Sequence, residues 1–169
     1  MSRPLSVLFL CTHNSARSIL AEALLNHIGQ GHFIGHSAGS TPRDNGQPNP
    51  LALRTLHEAG IATQGLHSKS WDRFIGPGAP PIDLVVTVCG NAEQACPLFP
   101  GAPATAHWGY DDPSAGDAPE AVKHQAFRHT LDLLRQRLLD FIALPDAALQ
   151  PARLQQSARA LAQHTQTGP

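Results

Sequence analysis

Four short apolar runs, separated by segments of helical period, constrain the fold most strongly. Ser6–Leu10, Phe33–Ala38, Asp83–Val88 and Thr105–Trp108 are brief, β-rich and bounded by turn residues, and they read as strands. Between the first two lies Ser18–Ile28, in which Ile19, Leu20, Ala23, Leu24 and Ile28 recur every three or four residues, the spacing of a helix face. Leu51–Ala59, stopped by Gly60, and Pro119–Leu144 read as further helices. Gly65–Pro81, with its Gly-Pro-Gly-Ala-Pro-Pro run, reads as irregular, and Ala92–Cys96 as a short helical turn. Strands alternating with helices predict an α/β fold: a four-stranded, open parallel sheet flanked by helices. Pro151–His164 adds an extra amphipathic C-terminal helix, so residues 1–145 read as the chemistry-bearing domain and 146–169 as a helical extension.

In such sheets, ligands bind beyond the carboxyl ends of the strands. Cys11 and Cys89 each follow a predicted strand. With the common strand order 2-1-3-4, those two strands are neighbours about 4.8 Å apart, which brings both sulfurs near one crevice.

Composition excludes several partners. Lys+Arg total 12 and Asp+Glu 13, for a formal charge of −1, which argues against a protein built to coat nucleic acid or an anionic membrane surface. No apolar run approaches the roughly 18 residues of a membrane span, and Val7–Leu10 is too short for the apolar core of a signal peptide. A cytoplasmic protein is expected, where thiols stay reduced, and three cysteines suit a disulfide framework poorly. The ten histidines form no compact Cys/His spacing, so no metal is expected.

The loop Cys11-Thr12-His13-Asn14-Ser15-Ala16-Arg17-Ser18 joins a strand end to a helix start. A thiol there faces unpaired backbone N–H groups, and the helix dipole and Arg17 both favour the thiolate. The same N–H groups can hold a tetrahedral oxyanion, and the planar Arg17 fork can grip two of its oxygens. Residues Thr12 to Ser18 are therefore the candidate oxyanion cradle. Asn14 tolerates left-handed backbone, and Ser18 can donate to the sulfur. A Cys and an Arg separated by five residues arise often by chance; their placement between strand and helix makes the pattern specific.

Residues Val7–Ser18, followed by Ala21-Glu22-Ala23, resemble the low-molecular-weight protein tyrosine phosphatase superfamily. Ser37-Ala38-Gly39, the stretch from Thr87-Val88-Cys89 to Cys96-Pro97, and His107-Trp108-Gly109-Tyr110-Asp111-Asp112-Pro113 are similar to its thioredoxin-coupled arsenate reductase branch. The resemblance covers about residues 5–143 and implies arsenate or another small oxyanion as substrate. It also implies Cys11 as nucleophile, Arg17 as anion clamp, Cys89 and Cys96 as relay thiols, and Asp112, rather than Asp111, as the acid that protonates the departing oxygen. No tightly bound cofactor is implied; the reductant is external, a thioredoxin-like donor or a glutaredoxin. Some relatives hold a monovalent cation behind the loop, and Asn14, Glu22 and Ser37 match that set. Lys69 lies near the place of a further aspartate, where its ammonium could itself replace the cation. His13 departs from the family's glycine, which raises the question of positive φ at that position.

The anion loop alone does not separate reductase from phosphatase. Ala16 stands where the tyrosine phosphatases carry a second cysteine, Ser114-Ala115 follow Pro113 in place of tyrosines, and Ser40–Pro48 has no aromatic residue. An aryl phosphate would find few stacking surfaces, whereas an inorganic oxyanion needs none. A phosphatase with incidental cysteines, Cys89 being a buried core residue, is one alternative. A non-catalytic oxyanion or redox sensor acting through the C-terminal helix is another. Were residues 89–96 helical, the two Cα atoms would lie about 10.5 Å apart, beyond the roughly 7 Å a disulfide tolerates. A Cys89–Cys96 bond therefore calls for a segment, about Gly90–Gly101, that rearranges.

Overall fold

A computed structural model describes residues 3–90, 99–101 and 104–163. Strands β1 (Leu5–Cys11), β2 (Phe33–Gly39), β3 (Leu84–Thr87) and β4 (Thr105–His107) pair in parallel in the order β2-β1-β3-β4. This is the predicted 2-1-3-4 topology. Helices α1 (Arg17–Ile28), α2 (Pro50–Glu58), α3 (Glu120–Ile142) and α4 (Pro151–Gln163) follow the predicted segments to within two residues. The Gly65–Pro81 stretch contains one 3-10 turn, Trp71–Phe74, and a second, Asp146–Leu149, precedes α4. The helical turn expected at Ala92–Cys96 lies outside the described residues.

Alternation along the strands divides the core. Val7 and Phe9 of β1 and Leu84 and Val86 of β3 face the helices, and they pack with Leu20, Leu24, Phe127, Leu134 and Phe141. Leu8, Leu10, Ala38 and Val85 face the other way, against Trp71, Phe74, Ile82 and Phe99. α1 is buried nearly all round, because it lies on the sheet and under α2 and α3. That burial explains its run of apolar residues.

α4 belongs to the same core. Leu154, Ala158 and Leu161 are buried there. β4 is an edge strand, and α4 covers its exposed backbone: Thr105 N donates to Gln155 Oε1 at 3.0 Å, and Arg159 Nε donates to the Thr105 carbonyl at 2.9 Å. The indole Nε1 of Trp108 donates to the Ala158 carbonyl at 2.9 Å. Trp108 is fully buried between Phe9 and Phe141, as a packing residue.

Candidate active site

The site forms where β1 and β3 end side by side. Leu10 is level with Thr87, and Val88 N donates to the Leu10 carbonyl at 3.0 Å. Cys11 ends β1, and Cys89 lies one residue beyond Val88. Both thiols are buried and part of the helix-side core. Cys96 lies outside the described residues, as does most of the Gly90–Gly101 segment expected to rearrange.

Cys11 Sγ lies 2.9 Å from Ser18 Oγ, which also accepts a hydrogen bond from Asn14 Nδ2 at 2.8 Å. The Ser18 hydroxyl is thus free to donate its own proton to the sulfur. Among the described residues, the backbone N–H groups of Thr12, His13, Asn14, Ser15 and Ala16 donate to no protein acceptor. Ala16 then opens α1 without a side-chain cap. Those five N–H groups are therefore available to an anion at the loop.

The loop's carbonyls face outward and are tied down from behind. Thr41 N donates to the Thr12 carbonyl at 2.9 Å, Ser68 Oγ to the His13 carbonyl at 2.8 Å, and Asn49 N to the Ser15 carbonyl at 2.8 Å. Asn14 is the loop residue with left-handed backbone, φ 50°, so His13 meets no conformational penalty. The His13 ring is exposed at the rim, with Nδ1 3.0 Å from the Thr41 carbonyl. Gly39, at the end of β2, shows its role only in space. A Cβ there would stand 2.6 Å from the Thr12 carbonyl oxygen and 3.0 Å from Asn14 N, so only glycine lets β2 approach the loop this closely.

Arg17 is buried at the start of α1, and its Nη1 donates to the Tyr110 carbonyl at 2.8 Å. Its Nη2 is 3.9 Å from Asp112 Oδ2. The other Asp112 oxygen accepts from Ser114 N at 2.9 Å and Ser114 Oγ at 2.7 Å, which holds the carboxyl group toward the loop. Asp111 is exposed. The geometry thus brings Cys11, Arg17, Ser18 and Asp112 together.

The residues matched to a cation site are already filled by a side chain. Lys69 Nζ donates to the His67 carbonyl at 2.9 Å and lies 3.3 Å from Ser37 Oγ and 3.5 Å from Glu22 Oε1. Asn14 Oδ1 accepts from Lys69 N at 3.0 Å, and Ser37 Oγ donates to Glu22 at 2.5 Å. The Asn14, Glu22 and Ser37 set does not fit a monovalent cation, because the buried Lys69 ammonium supplies the positive charge beside Glu22 and Ser37, and the Lys69 main-chain N–H takes the Asn14 oxygen. Burial pushes the Lys69 pKa down, and Glu22 opposes that shift. Among the described residues, no group of three or more His, Cys, Asp or Glu side chains could hold a metal ion, and no helix is long and apolar enough to cross a membrane.

Two histidines give the fold a pH dependence. Burial lowers the His36 pKa below its ordinary value of 6.5, with Glu22 opposing and Lys69 assisting; burial lowers that of His107 as well. The unfolded chain then binds more protons than the folded one below about pH 6.5. Stability is full above that value and is lost as pH falls through the folded pKa. The melting temperature is expected to drop between pH 7 and pH 5, and the drop to shrink in His36→Gln. An equal drop in both proteins would contradict the assignment.

A buried cysteine beside Ser18, with Arg17 opening the next helix, at the C-terminal end of a 2-1-3-4 parallel sheet, is the arrangement that a thiol nucleophile and an oxyanion pocket require. The chain belongs to the low molecular weight phosphotyrosine protein phosphatase family, whose profile matches residues 6–156. An arsenate reductase of Bacillus licheniformis is 35% identical over 137 residues, covering 80% of this chain and 94% of that relative. The crystal structure of an arsenate reductase from Archaeoglobus fulgidus is 26% identical with a TM-score of 0.66, covering 82% of this chain and 99% of that one. A thioredoxin-dependent arsenate reductase of Corynebacterium glutamicum is 26% identical with a TM-score of 0.58, covering 83% of this chain and 63% of that one.

Proposed function

We propose that this enzyme reduces arsenate to arsenite through a relay of its three cysteines. The observation that carries the reading is the second buried thiol, Cys89, at the end of the strand beside the one that delivers Cys11 to the anion loop. A phosphatase needs only the first. The arsenate reductases similar to this chain over most of its length support the same choice.

Arsenate sits on the loop N–H groups and the Arg17 fork. The Cys11 thiolate attacks arsenic, and Asp112 protonates the departing oxygen, which leaves as water. Cys89 then attacks Cys11 Sγ; the S–As bond breaks, and its electron pair goes to arsenic, which leaves as arsenite. Two thiols have supplied the two electrons, and a Cys11–Cys89 disulfide remains. Cys96 attacks Cys89, frees the Cys11 thiolate and leaves a Cys89–Cys96 disulfide. A thioredoxin-like dithiol, or a glutaredoxin system, then reduces it by exchange. Because α4 spends its apolar face on the domain's own core, it offers little to a sensor that would signal through that helix.

Supplied with arsenate and a thioredoxin system, the protein is expected to form arsenite over many turnovers. Cys89→Ser should halt after the Cys11 adduct, lowering turnover by about a thousandfold or more. Phosphate-ester hydrolysis that survives Cys89→Ser, with no arsenite from the unmodified protein, would establish the phosphatase instead.

A further inference from the structure

We propose that Arg137 is a positioning residue for the oxyanion site, acting through Tyr110 on Arg17. The contacts are continuous. Arg137 Nη1, buried on α3, donates to the Tyr110 hydroxyl at 3.1 Å. Its guanidinium carbon lies 5.2 Å from the centroid of the Tyr110 ring and 5.8 Å from that of Trp108. At its other end, Tyr110 presents its carbonyl to Arg17 Nη1 at 2.8 Å. Asp112, two residues on, faces Arg17 Nη2 at 3.9 Å. One arginine thus holds the phenol of a buried tyrosine whose main chain holds another.

The anion needs this arrangement. Arg17 must offer its fork in one plane to two oxygens of a bound tetrahedral ion, yet its guanidinium ends a side chain with several rotatable bonds. The Tyr110 carbonyl occupies one N–H and so fixes that plane. The carbonyl's own position follows from where the ring is held, and the ring is held by Arg137. Burial raises the Tyr110 pKa to about 12, against the opposing influence of Arg137, so the phenol stays neutral at any working pH and the contact does not titrate. Taking a guanidinium out of water is costly, and the two aromatic faces and the hydroxyl offset part of that cost. The Tyr110 hydroxyl and the Tyr110 and Trp108 rings converge on this one guanidinium, and that convergence points to an orienting role.

This inference rests on the Cys11–Ser18 loop being the oxyanion site, and its test does not require arsenate reduction. Inorganic phosphate binds such a loop without being reduced, so its protection of Cys11 against iodoacetamide reports a dissociation constant. Tyr110→Phe removes one oxygen, Arg137→Met removes the charge and the donors, and Arg137→Lys keeps a charge and a donor. Tyr110→Phe and Arg137→Met are each expected to raise the phosphate dissociation constant about tenfold, the double variant to do no worse than the weaker single, and Arg137→Lys to stay within about threefold of the unmodified protein. Should Arg137→Met fail to fold, Tyr110→Phe and Arg137→Lys decide the matter. Lower melting temperatures with phosphate constants within twofold of the unmodified protein would reduce Arg137 to a packing residue and overturn the proposal, as would additive losses in the double variant. Phosphate protection without arsenite formation would remove the reductase reading and leave this one standing; no protection in the unmodified protein would remove both.

Discussion

Cys11→Ser is expected to abolish arsenite formation, by about 10⁴-fold or more, while phosphate still binds within a few fold of the unmodified protein. The separation follows from the geometry. In the proposed mechanism the anion is held by the backbone N–H groups from Thr12 to Ala16 and the Arg17 guanidinium, and none of these donors belongs to the sulfur. A serine hydroxyl would keep its place beside Ser18 Oγ but lacks a thiolate's nucleophilicity and its capacity to enter a disulfide. Binding measured by calorimetry and turnover measured by arsenite release should therefore part company in this variant. Turnover within tenfold of the unmodified enzyme would mean that another group attacks arsenic.

The second large effect concerns stability. Ending the chain after Leu144 removes α4 and the turn before it. Leu154 and Leu161 would leave the core, at about 2 kcal/mol each, and the Trp108 indole N–H would lose its acceptor, at about 1 kcal/mol or more. The sum, about 5 kcal/mol, rivals the whole stability of a small marginal domain. A melting temperature lower by about 15 °C, with an increased tendency to associate through the uncovered edge of β4, is the expected result. The effect should reach the site as well, since Trp108 starts the segment that carries Tyr110 and Asp112. A truncated chain melting within about 3 °C of the full one would show that α4 is not part of the folding unit.

These two expectations differ in how far the sequence alone could reach them. The loop was legible because its information is local: a β-rich run, a thiol, a few small polar residues, and an arginine opening a helical period sit next to one another in the chain. The strand order followed for a related reason, since short parallel strands joined by helices admit few arrangements. The packing of α4 was not legible. An amphipathic helix carries the same pattern whether it covers its own domain or a partner, and only the contacts of Gln155, Ala158 and Arg159 with β4 and Trp108 decide between them.

Gly39 and Tyr110 escaped for a different reason. Each acts through main-chain space or a main-chain carbonyl, and side-chain chemistry gives no sign of that. Nothing in the identity of Tyr110 announces that its carbonyl orients Arg17. Lys69 shows an intermediate case. Its position beside the matched cation ligands was visible in sequence, but the closing of Glu22, Ser37 and the His67 carbonyl around its ammonium depends on how β2, α1 and the loop before the 3-10 turn meet in space.

The central claim is that one molecule of arsenate draws its two electrons from within a single chain. A thiol titration of the fully reduced protein, before and after one equivalent of arsenate and with no external reductant, tests it most directly. The three cysteines should give three free thiols before and one after, with one equivalent of arsenite released and the disulfide mapped by mass spectrometry to pairs among Cys11, Cys89 and Cys96. Three thiols remaining after arsenate, with no arsenite in solution, would contradict the relay.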